Sequence, residues 1–165
     1  MAHADIDPAT PPRRRIGAVV LVQNEHGHVL LVKPNYKPGW VLPGGGAHAG
    51  ETIADAAARE LAEETGLALK PTNYLVLDQV PANGETGSAE GLNVVLAGGT
   101  LTPEEAAVVA IPEAARAELE DLRWVPLDQL DTYTQPYQER RIRAALDARE
   151  RGDCLPLLLL GEPVV

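Results

Sequence analysis

The stretch from Gly45 to Leu67 constrains the fold of this 165-residue chain more than any other part of it. It reads GGAHAGETIADAAARELAEETGL, in which five residues separate Gly45 from Glu51 and seven separate Glu51 from Arg59. The remaining fixed positions follow closely and are Glu60, Leu61, Glu63, Glu64, Gly66 and Leu67. At residue frequencies near 7%, seven specified residues at fixed spacing coincide by chance about once in 10⁸ starting points. The stretch is therefore a specific signal.

The second half of this stretch has the composition of a short helix. Thr52 is a typical N-cap residue, Asp55 follows three positions later, and the alanines between Ala54 and Ala58 are strong helix formers. Gly66 is a natural stop just past the last turn. The sequence therefore predicts a helix over residues 52–65. At about 100° per residue, its apolar stripe consists of Ala54, Ala57, Ala58, Leu61 and Thr65.

Three glutamates fall together on the adjacent stripe of this helix. Glu60, Glu63 and Glu64 are spaced i, i+3 and i+4, so their charges repel one another. A hard divalent cation with oxygen ligands removes that repulsion, and Mg²⁺ is the usual one beside phosphates. Arg59 lies four residues before Glu63 and can orient it. The alternative is a solvated acidic face held by Arg59, and the complete spacing pattern favours the metal site.

The pattern G-x5-E-x7-R-E-U-x-E-E-x-G-U, with U a bulky aliphatic residue, is the Nudix box, and residues 45–67 match it at every fixed position. The chain therefore resembles the Nudix hydrolases, which cleave a nucleoside diphosphate linked to another group X. The segment KPGWVLPGGG also resembles the usual lead-in. The resemblance implies an α/β/α sandwich with a mixed β-sheet. We expect a disordered arm at 1–14, a Nudix domain at 15–152 and an apolar tail at 153–165.

The resemblance also implies roles for residues of the box. Glu60, Glu63 and Glu64 would be metal ligands for Mg²⁺, which Mn²⁺ can replace, together with the backbone carbonyl of Gly44. Arg59 would hold the glutamates in place. A carboxylate would accept the proton of the attacking water, and Glu63 is one candidate for that step. The helix face offers several glutamates, so the identity of the base stays open.

A second candidate for the base lies outside the box. Many family members use a carboxylate from a late loop, six residues before a tryptophan, and here that residue is Glu118 before Trp124. Glu113 and Glu120 lie close by and are alternatives. The alternative to a catalytic role is that Glu118 is a solvated surface glutamate of an acidic insertion.

Substrate contacts are predicted near the glycine-rich segment. The glycines let the backbone turn sharply and approach a ligand, so Gly45 is one candidate. Lys33 and Tyr36 lie at the mouth of the loop Pro34–Gly39 and are the others. For Lys33 the alternatives are a phosphate contact and a solvated lysine at the end of a strand.

The rest of the chain alternates between strand and helix patterns. A hairpin buried on both faces is predicted from residues 16–23 and 28–33. Further strands are predicted at 74–80, 92–97 and 123–127. Residues 100–120 are predicted to be a partly helical insertion. Residues 135–151 are predicted to be an amphipathic helix that ends at Gly152. The leucine-rich run 155–160 either returns as an edge strand of its own domain or packs on a second subunit, and we favour a homodimer.

Charge and composition exclude several classes of partner. The net charge of −10 argues against a nucleic-acid polymer, because phosphate backbones need a basic surface. No apolar run approaches the roughly 20 residues that a membrane span needs. The single cysteine, Cys154, excludes an internal disulfide, and residues 1–14 lack the apolar core of a signal peptide. We expect a cytoplasmic protein that binds a nucleotide-type small molecule.

The expected activity is Mg²⁺-dependent hydrolysis of a diphosphate bond, most simply in an ordinary or modified nucleoside triphosphate. An ADP-ribose or nucleotide-sugar pyrophosphatase is the alternative, since Pro81 lies fourteen residues after Leu67, near the position of a proline in ADP-ribose-cleaving members. A ligand sensor of the same fold without hydrolysis is the third possibility. The intact set of Arg59 and the three glutamates disfavours it, because a sensor does not need crowded carboxylates.

Overall fold

The computed structural model describes residues 9–165, so the first eight positions of the predicted arm 1–14 lie outside the described residues. Within this range seven strands form one mixed sheet in the order β6-β2-β1-β5-β4-β7, with β3 paired to β1. These strands are β1 (Arg15–Gln23), β2 (Val29–Pro34), β3 (Gly44–Gly46), β4 (Asn73–Val80), β5 (Gly91–Thr100), β6 (Leu119–Val125) and β7 (Leu155–Pro156). The pair β1–β5 is parallel and the other pairs are antiparallel. The prediction of a mixed sheet is confirmed.

Two long helices cover the two faces of the sheet. Helix α1 (Ile53–Thr65) lies on one face and α4 (Pro136–Arg151) on the other, with the short helices α2 (Pro103–Ala107) and α3 (Leu130–Tyr133) at the periphery. The core on the α1 side includes Val20, Leu30 and Leu61, and the core on the α4 side includes Leu21, Leu31 and Ile142. Alternating side chains of the same strands therefore feed two separate cores, and the α/β/α sandwich is confirmed.

Helix α1 begins and ends where its sequence predicts. The Thr52 hydroxyl accepts a hydrogen bond from the Asp55 N–H at 3.1 Å, and Gly66 closes the helix in the left-handed conformation at φ 75°. The predicted apolar stripe is wrong at one position, because Ala56 is fully buried whereas Ala58 is half-buried. The helix packs against both β1 and β3, so its buried sector is displaced toward Ala56.

The predicted hairpin opens soon after its turn. Strands β1 and β2 meet at Gln23 and Val29, and then the segment that precedes α1 enters between them. There Val41 pairs with Val32, the carbonyl of Pro43 accepts a hydrogen bond from the Val20 N–H, and β3 runs along β1. The opening places the glycine strand β3 inside the sheet, where α1 can reach it.

The predicted strand 123–127 is wrong at both ends. Strand β6 begins at Leu119 because its register on β2 runs from Val29 opposite Val125 to Pro34 opposite Leu119. Pro126 ends it, since a proline lacks the N–H that the sheet needs. The early start places Glu118 directly before a strand whose position is fixed by its pairing with β2.

Part of the C-terminal tail returns as an edge strand of its own domain. Strand β7 pairs with β4 at the edge of the sheet, and Leu157 packs against the core. The hairpin of β8 (Leu158–Leu159) and β9 (Glu162–Pro163) follows. Its side chains stay in water, with Leu158 57%, Leu159 56% and Leu160 99% exposed. No helix within residues 9–165 is long and apolar enough to cross a membrane.

We predict that this exposed leucine hairpin joins two subunits, because removing apolar surface from water stabilises by about 25 cal/mol per Å². Light scattering at micromolar protein should give about twice the chain mass of 17.6 kDa. The triple variant Leu158→Ser, Leu159→Ser, Leu160→Ser should return the mass to that of one chain. Val108→Ser, at a side chain 77% exposed outside the tail, should leave it unchanged. A wild-type mass near 17.6 kDa would reject the dimer.

Candidate active site

Strand β3 is the meeting point of the site, and two of its residues can only be glycine. Gly44 has φ +139°, and a Cβ there would overlap the Ala18 carbonyl oxygen. A Cβ on Gly45 would lie 2.5 Å from the carboxyl carbon of Glu60. Because both side chains are missing, the backbone of β3 lies directly against β1 on one side and a glutamate of α1 on the other.

Arg59 binds four groups around this strand. Its guanidinium donates to the two oxygens of Glu51 at 2.8 and 3.0 Å, to Glu60 at 2.7 Å, to Glu63 at 3.2 Å and to the carbonyl oxygen of Gly46 at 3.1 Å. Hydrogen bonds from Arg59 and from the backbone of the loop lower the pKa of Glu51 to about 2. The predicted contact of Arg59 with Glu63 is present, and it belongs to a larger clamp that ties the box loop to α1.

Glu64 is bound separately. Its Oε2 accepts a hydrogen bond from the Gly44 N–H at 2.8 Å. The pKa of the Glu64 carboxyl is raised to about 7, chiefly by burial and in smaller part by the charge of Glu60, whereas the Gly44 N–H and the Lys37 ammonium oppose the rise. A bound cation would restore the charged form, because an opposite charge nearby favours ionisation.

The glutamates predicted for the chemistry share one cavity of about 320 Å³. Its acidic lining residues are Glu60, Glu63, Glu64 and Glu118. Glu118 follows a 3₁₀ turn at Glu113–Ala117, and its backbone carbonyl accepts a hydrogen bond from the Asn35 N–H. The structure thus brings the late-loop carboxylate to the face of α1 that carries the box glutamates.

The two alternatives to Glu118 lie elsewhere. Glu113 has a side chain 94% exposed and pairs with Arg116. Glu120 pairs with Lys33 at 2.6 Å on the outer side of the β2–β6 pair. Glu118 has helical backbone angles at the end of the 3₁₀ turn, and the β2–β6 register shifts between Asp121 and Leu119, so Glu118 and Glu120 do not follow the alternation of a regular strand.

A hard divalent cation fits the chemistry of this donor set. Carboxylate oxygens are the ligands that such cations prefer, and Gly45 leaves room for the Glu60 carboxylate beside β3. Across the described range 9–165, no group of three Asp, Glu, His or Cys side chains is already gathered around one point. Glu60 and Glu63 each bind Arg59 through one carboxylate oxygen, which leaves the other oxygen of each outside the bonds of Arg59.

A cleft of about 300 Å³ opens on the other side of β3, toward α4. The sheet, α4 and the loop between β2 and β3 each supply part of its wall. Its polar and aromatic lining residues are Arg15, Tyr36, Lys37, Asn93, Tyr137, Gln138 and Arg141. Gly44, Gly45 and Gly46 line it as well, so the strand that lines the cleft also contacts Glu60 and Glu64 of the acidic cavity.

The predicted substrate residues divide between the cleft and the outside. Tyr36 and Gly45 line the cleft. Lys33 pairs with Glu120 and is not part of the cleft wall, so its phosphate contact stays a prediction. Lys37, which the sequence did not single out, lines the cleft, and burial lowers the pKa of its ammonium while Glu64 opposes that shift.

Sequence reasoning also missed the polar end of the cleft. Arg141 of α4 has a side chain only 5% exposed and donates to Asp78 at 2.6 Å and to Gln138 at 3.0 Å. Tyr137, the cleft's second tyrosine, lies beneath its guanidinium at 5.7 Å. Arg141 could have been identified from its position in the buried stripe of an amphipathic helix, because a buried charge needs a partner.

A second hollow adjoins the cleft. Arg14, Arg15 and His48 are among its lining residues, and Arg15 and Gly46 belong to both spaces. Arg14 is held by Glu90 at 2.7 Å. The hollow brings the basic side chains of Arg14 and Arg15 next to the glycine strand, together with the carboxylate of Glu51.

We predict that Gly45→Ala lowers hydrolysis of the best substrate by about 10²-fold. The new methyl group would meet the Glu60 carboxylate at 2.5–2.7 Å and displace it. Gly84→Ala, where a Cβ would meet no atom within 4 Å, is the control and should retain full activity. Equal activity of the two variants would refute the assignment of Glu60 to the active site.

Comparison with known proteins agrees with this geometry. The NUDIX domain model matches residues 13–146. A Mycobacterium tuberculosis (H37Rv) protein provisionally named 8-oxo-dGTP diphosphatase 2 is 38% identical over 120 residues, 68% of this chain and 79% of that protein. A Bacillus subtilis protein with a provisional 8-oxo-dGTP diphosphatase name is 52% identical over 50 residues, 30% of this chain and 34% of its own length.

A solved structure shows the same fold. The MutT protein from Methanosarcina mazei Go1 superposes with a TM-score of 0.66 at 22% identity, over 86% of this chain and 96% of that one. Members of the matched family generally use divalent metal ions. The family model, the relatives and the arrangement of the box glutamates around β3 agree that this chain belongs to the Nudix family and is a pyrophosphohydrolase.

Proposed function

We propose that the protein is a Mg²⁺-dependent pyrophosphohydrolase that acts on an ordinary or modified nucleoside triphosphate. One observation carries the proposal: β3 lines the cleft and contacts two glutamates of the acidic cavity. Gly45 touches Glu60, Gly44 binds Glu64, and both glycines line the cleft. A nucleoside in the cleft would therefore lie with its phosphate chain across the glycines and beside the carboxylates.

The cleft suits a nucleoside. Tyr36 and Tyr137 line it from two different elements, and stacking of a base on an aromatic ring stabilises by about 1–3 kcal/mol. Lys37 and Arg15 supply positive charge near the glycines. The M. tuberculosis relative, named for an oxidised nucleoside triphosphate, supports the same substrate class.

The residues that would hold Mg²⁺ are Glu60, Glu63 and Glu64, with the backbone carbonyl of Gly44, and Mn²⁺ could take the same ligands. Bound there, the cation supplies positive charge against the phosphate oxygens and favours loss of a proton from the attacking water. Arg59 is anchored by its two bonds to Glu51, which do not involve the carboxylates that would hold the cation. It thereby holds the box loop in place throughout the reaction.

The proton of the attacking water passes to a carboxylate. Two carboxylates are suited to it. Glu118 enters the cavity from the wall opposite α1, and Glu63 is the most exposed of the box glutamates, at 59%. The rigid start of β6 behind Glu118 favours it, because a base must be held within hydrogen-bond reach of the proton that it removes.

An ADP-ribose or nucleotide-sugar substrate is the second candidate, and the hollow beside Arg14 and Arg15 is the observation that favours it. A second sugar needs space beyond the phosphates, and this hollow shares Arg15 and Gly46 with the cleft. Pro81 follows β4 directly, and its spacing from Leu67 is the sequence feature that favours an ADP-ribose substrate. Product analysis separates the candidates, since a triphosphate yields pyrophosphate and a nucleotide sugar yields a sugar phosphate.

We predict that a panel of nucleoside triphosphates, ADP-ribose and nucleotide sugars gives the highest kcat/KM with a triphosphate, releasing a nucleoside monophosphate. EDTA should abolish the reaction, and added Mg²⁺ or Mn²⁺ should restore it, because the clustered glutamates repel a polyphosphate in the absence of a cation. Full activity after chelation would refute the assignment of Glu60, Glu63 and Glu64 as metal ligands. A clear preference for ADP-ribose would replace the proposed substrate by the second candidate.

We predict that Glu118→Gln lowers kcat by about 10²-fold. Glu113→Gln and Glu120→Gln are matched controls that should change kcat less than about threefold, since neither residue lines the cavity. The fold should survive because the hydrogen bond to the Asn35 N–H uses the backbone carbonyl of residue 118. Equal and small effects of the three variants would leave Glu63 as the base.

A further inference from the structure

We propose that Asn93 and Arg141 form a base-reading pair that selects nucleotides whose base presents a lactam edge, a ring N–H beside a carbonyl. The inference rests on the proposed function, because it assigns the base to the cleft beside β3. It goes beyond that function by naming which chemical edge of the base the cleft recognises and which side chains read it.

The first observation is the placement of Asn93. It lies in β5 opposite Gly17 of β1 and opposite Asp78 of β4, so the three residues form one row across the sheet. A Cβ on Gly17 would overlap the Asn93 Oδ1 and lie 3.3 Å from its Cγ. The missing side chain of Gly17 therefore gives the Asn93 amide its position on the floor of the cleft.

The second observation is the free hydrogen-bonding capacity of that amide. Within residues 9–165 the Asn93 side chain makes no hydrogen bond, and no buried side-chain nitrogen or oxygen lacks a partner. The amide is thus open to the cleft rather than stranded in the core. It offers a donor and an acceptor side by side, as a base edge does.

The third observation is the neighbouring guanidinium. Asp78, the cross-strand partner of Asn93, accepts from the Arg141 Nε, and Gln138 accepts from the Nη1. These two bonds fix the plane of the guanidinium. Among the described contacts they leave the Nη2 unpaired, in a side chain that lines the same cleft. Next to Asn93, the cleft therefore presents one more donor, the Nη2 of Arg141.

This set of donors distinguishes two kinds of base edge. A carbonyl oxygen has two lone pairs, so it can accept from both the Asn93 amide and the Arg141 guanidinium while the ring N–H donates to Asn93. A ring nitrogen of an amino-substituted base has one lone pair, and the amino group beside it is a donor. That edge satisfies Asn93 but leaves the buried guanidinium facing another donor, which is unfavourable. Bases with a lactam edge should therefore be preferred.

The test uses dITP and dATP, which share the purine frame and differ at the edge in question. The full-length wild-type protein should hydrolyse dITP with a kcat/KM about 10-fold or more above that of dATP. Asn93→Leu removes the amide at similar volume and should bring the ratio to within about threefold of unity. Gly17→Ala, which displaces the amide without removing it, should reduce the ratio in the same direction.

The control is Gln79→Leu, which removes an amide from the neighbouring position of β4, where the side chain points to the other face and binds Glu90. It should keep the wild-type ratio, and a thermal melt should show that each variant is folded. If Asn93→Leu does not fold, Asn93→Ser takes its place. Equal hydrolysis of dITP and dATP by the wild type, or a ratio unchanged in folded variants of both Asn93 and Gly17, would overturn the inference. Absence of hydrolysis of any triphosphate would instead refute the proposed function.

Discussion

The bonds of Arg59 to Glu51, Glu60 and Glu63 hold together a site that its own charges would otherwise push apart. Like charges one turn apart destabilise a helix, and this chain carries a net charge of −10 besides. A single guanidinium with five donors can satisfy several acceptors in one plane, which a lysine cannot. The loop before α1, the start of the helix and the carbonyl of Gly46 are fixed by the same group.

The opening of the β1–β2 hairpin makes this clamp useful. It admits β3 beside β1, and β3 then has α1 on one side and the cleft under α4 on the other. Glycine is required because any side chain at Gly44 or Gly45 would meet backbone or carboxylate. One strand of backbone therefore separates the carboxylates on the α1 side from the cleft on the α4 side.

The sequence predicted what depends on local spacing. The helix at 52–65 and the helix at 135–151 were placed within a residue of α1 and α4, because caps and stops lie within a few residues of the segments they bound. Glu118 could be selected by its distance to Trp124. Asn93 and Arg141 could not, because their meeting depends on β5 pairing with β1 and β4 and on α4 crossing that row. Lys37 was passed over for Lys33 for the same reason, since loop closure over the cleft is a tertiary event.

In the contact between Arg141 and Asp78, the side chain of the arginine is 5% exposed and that of the aspartate 37%. Desolvating a guanidinium and a carboxylate often offsets their attraction, so apolar replacements of similar size would serve stability as well. What such replacements could not do is hold a donor at a fixed angle beside Asn93. Asp78 and Gln138 occupy two directions of the guanidinium and leave the third for the cleft. We therefore infer that the pair orients the free Nη2 of Arg141 for a ligand in the cleft.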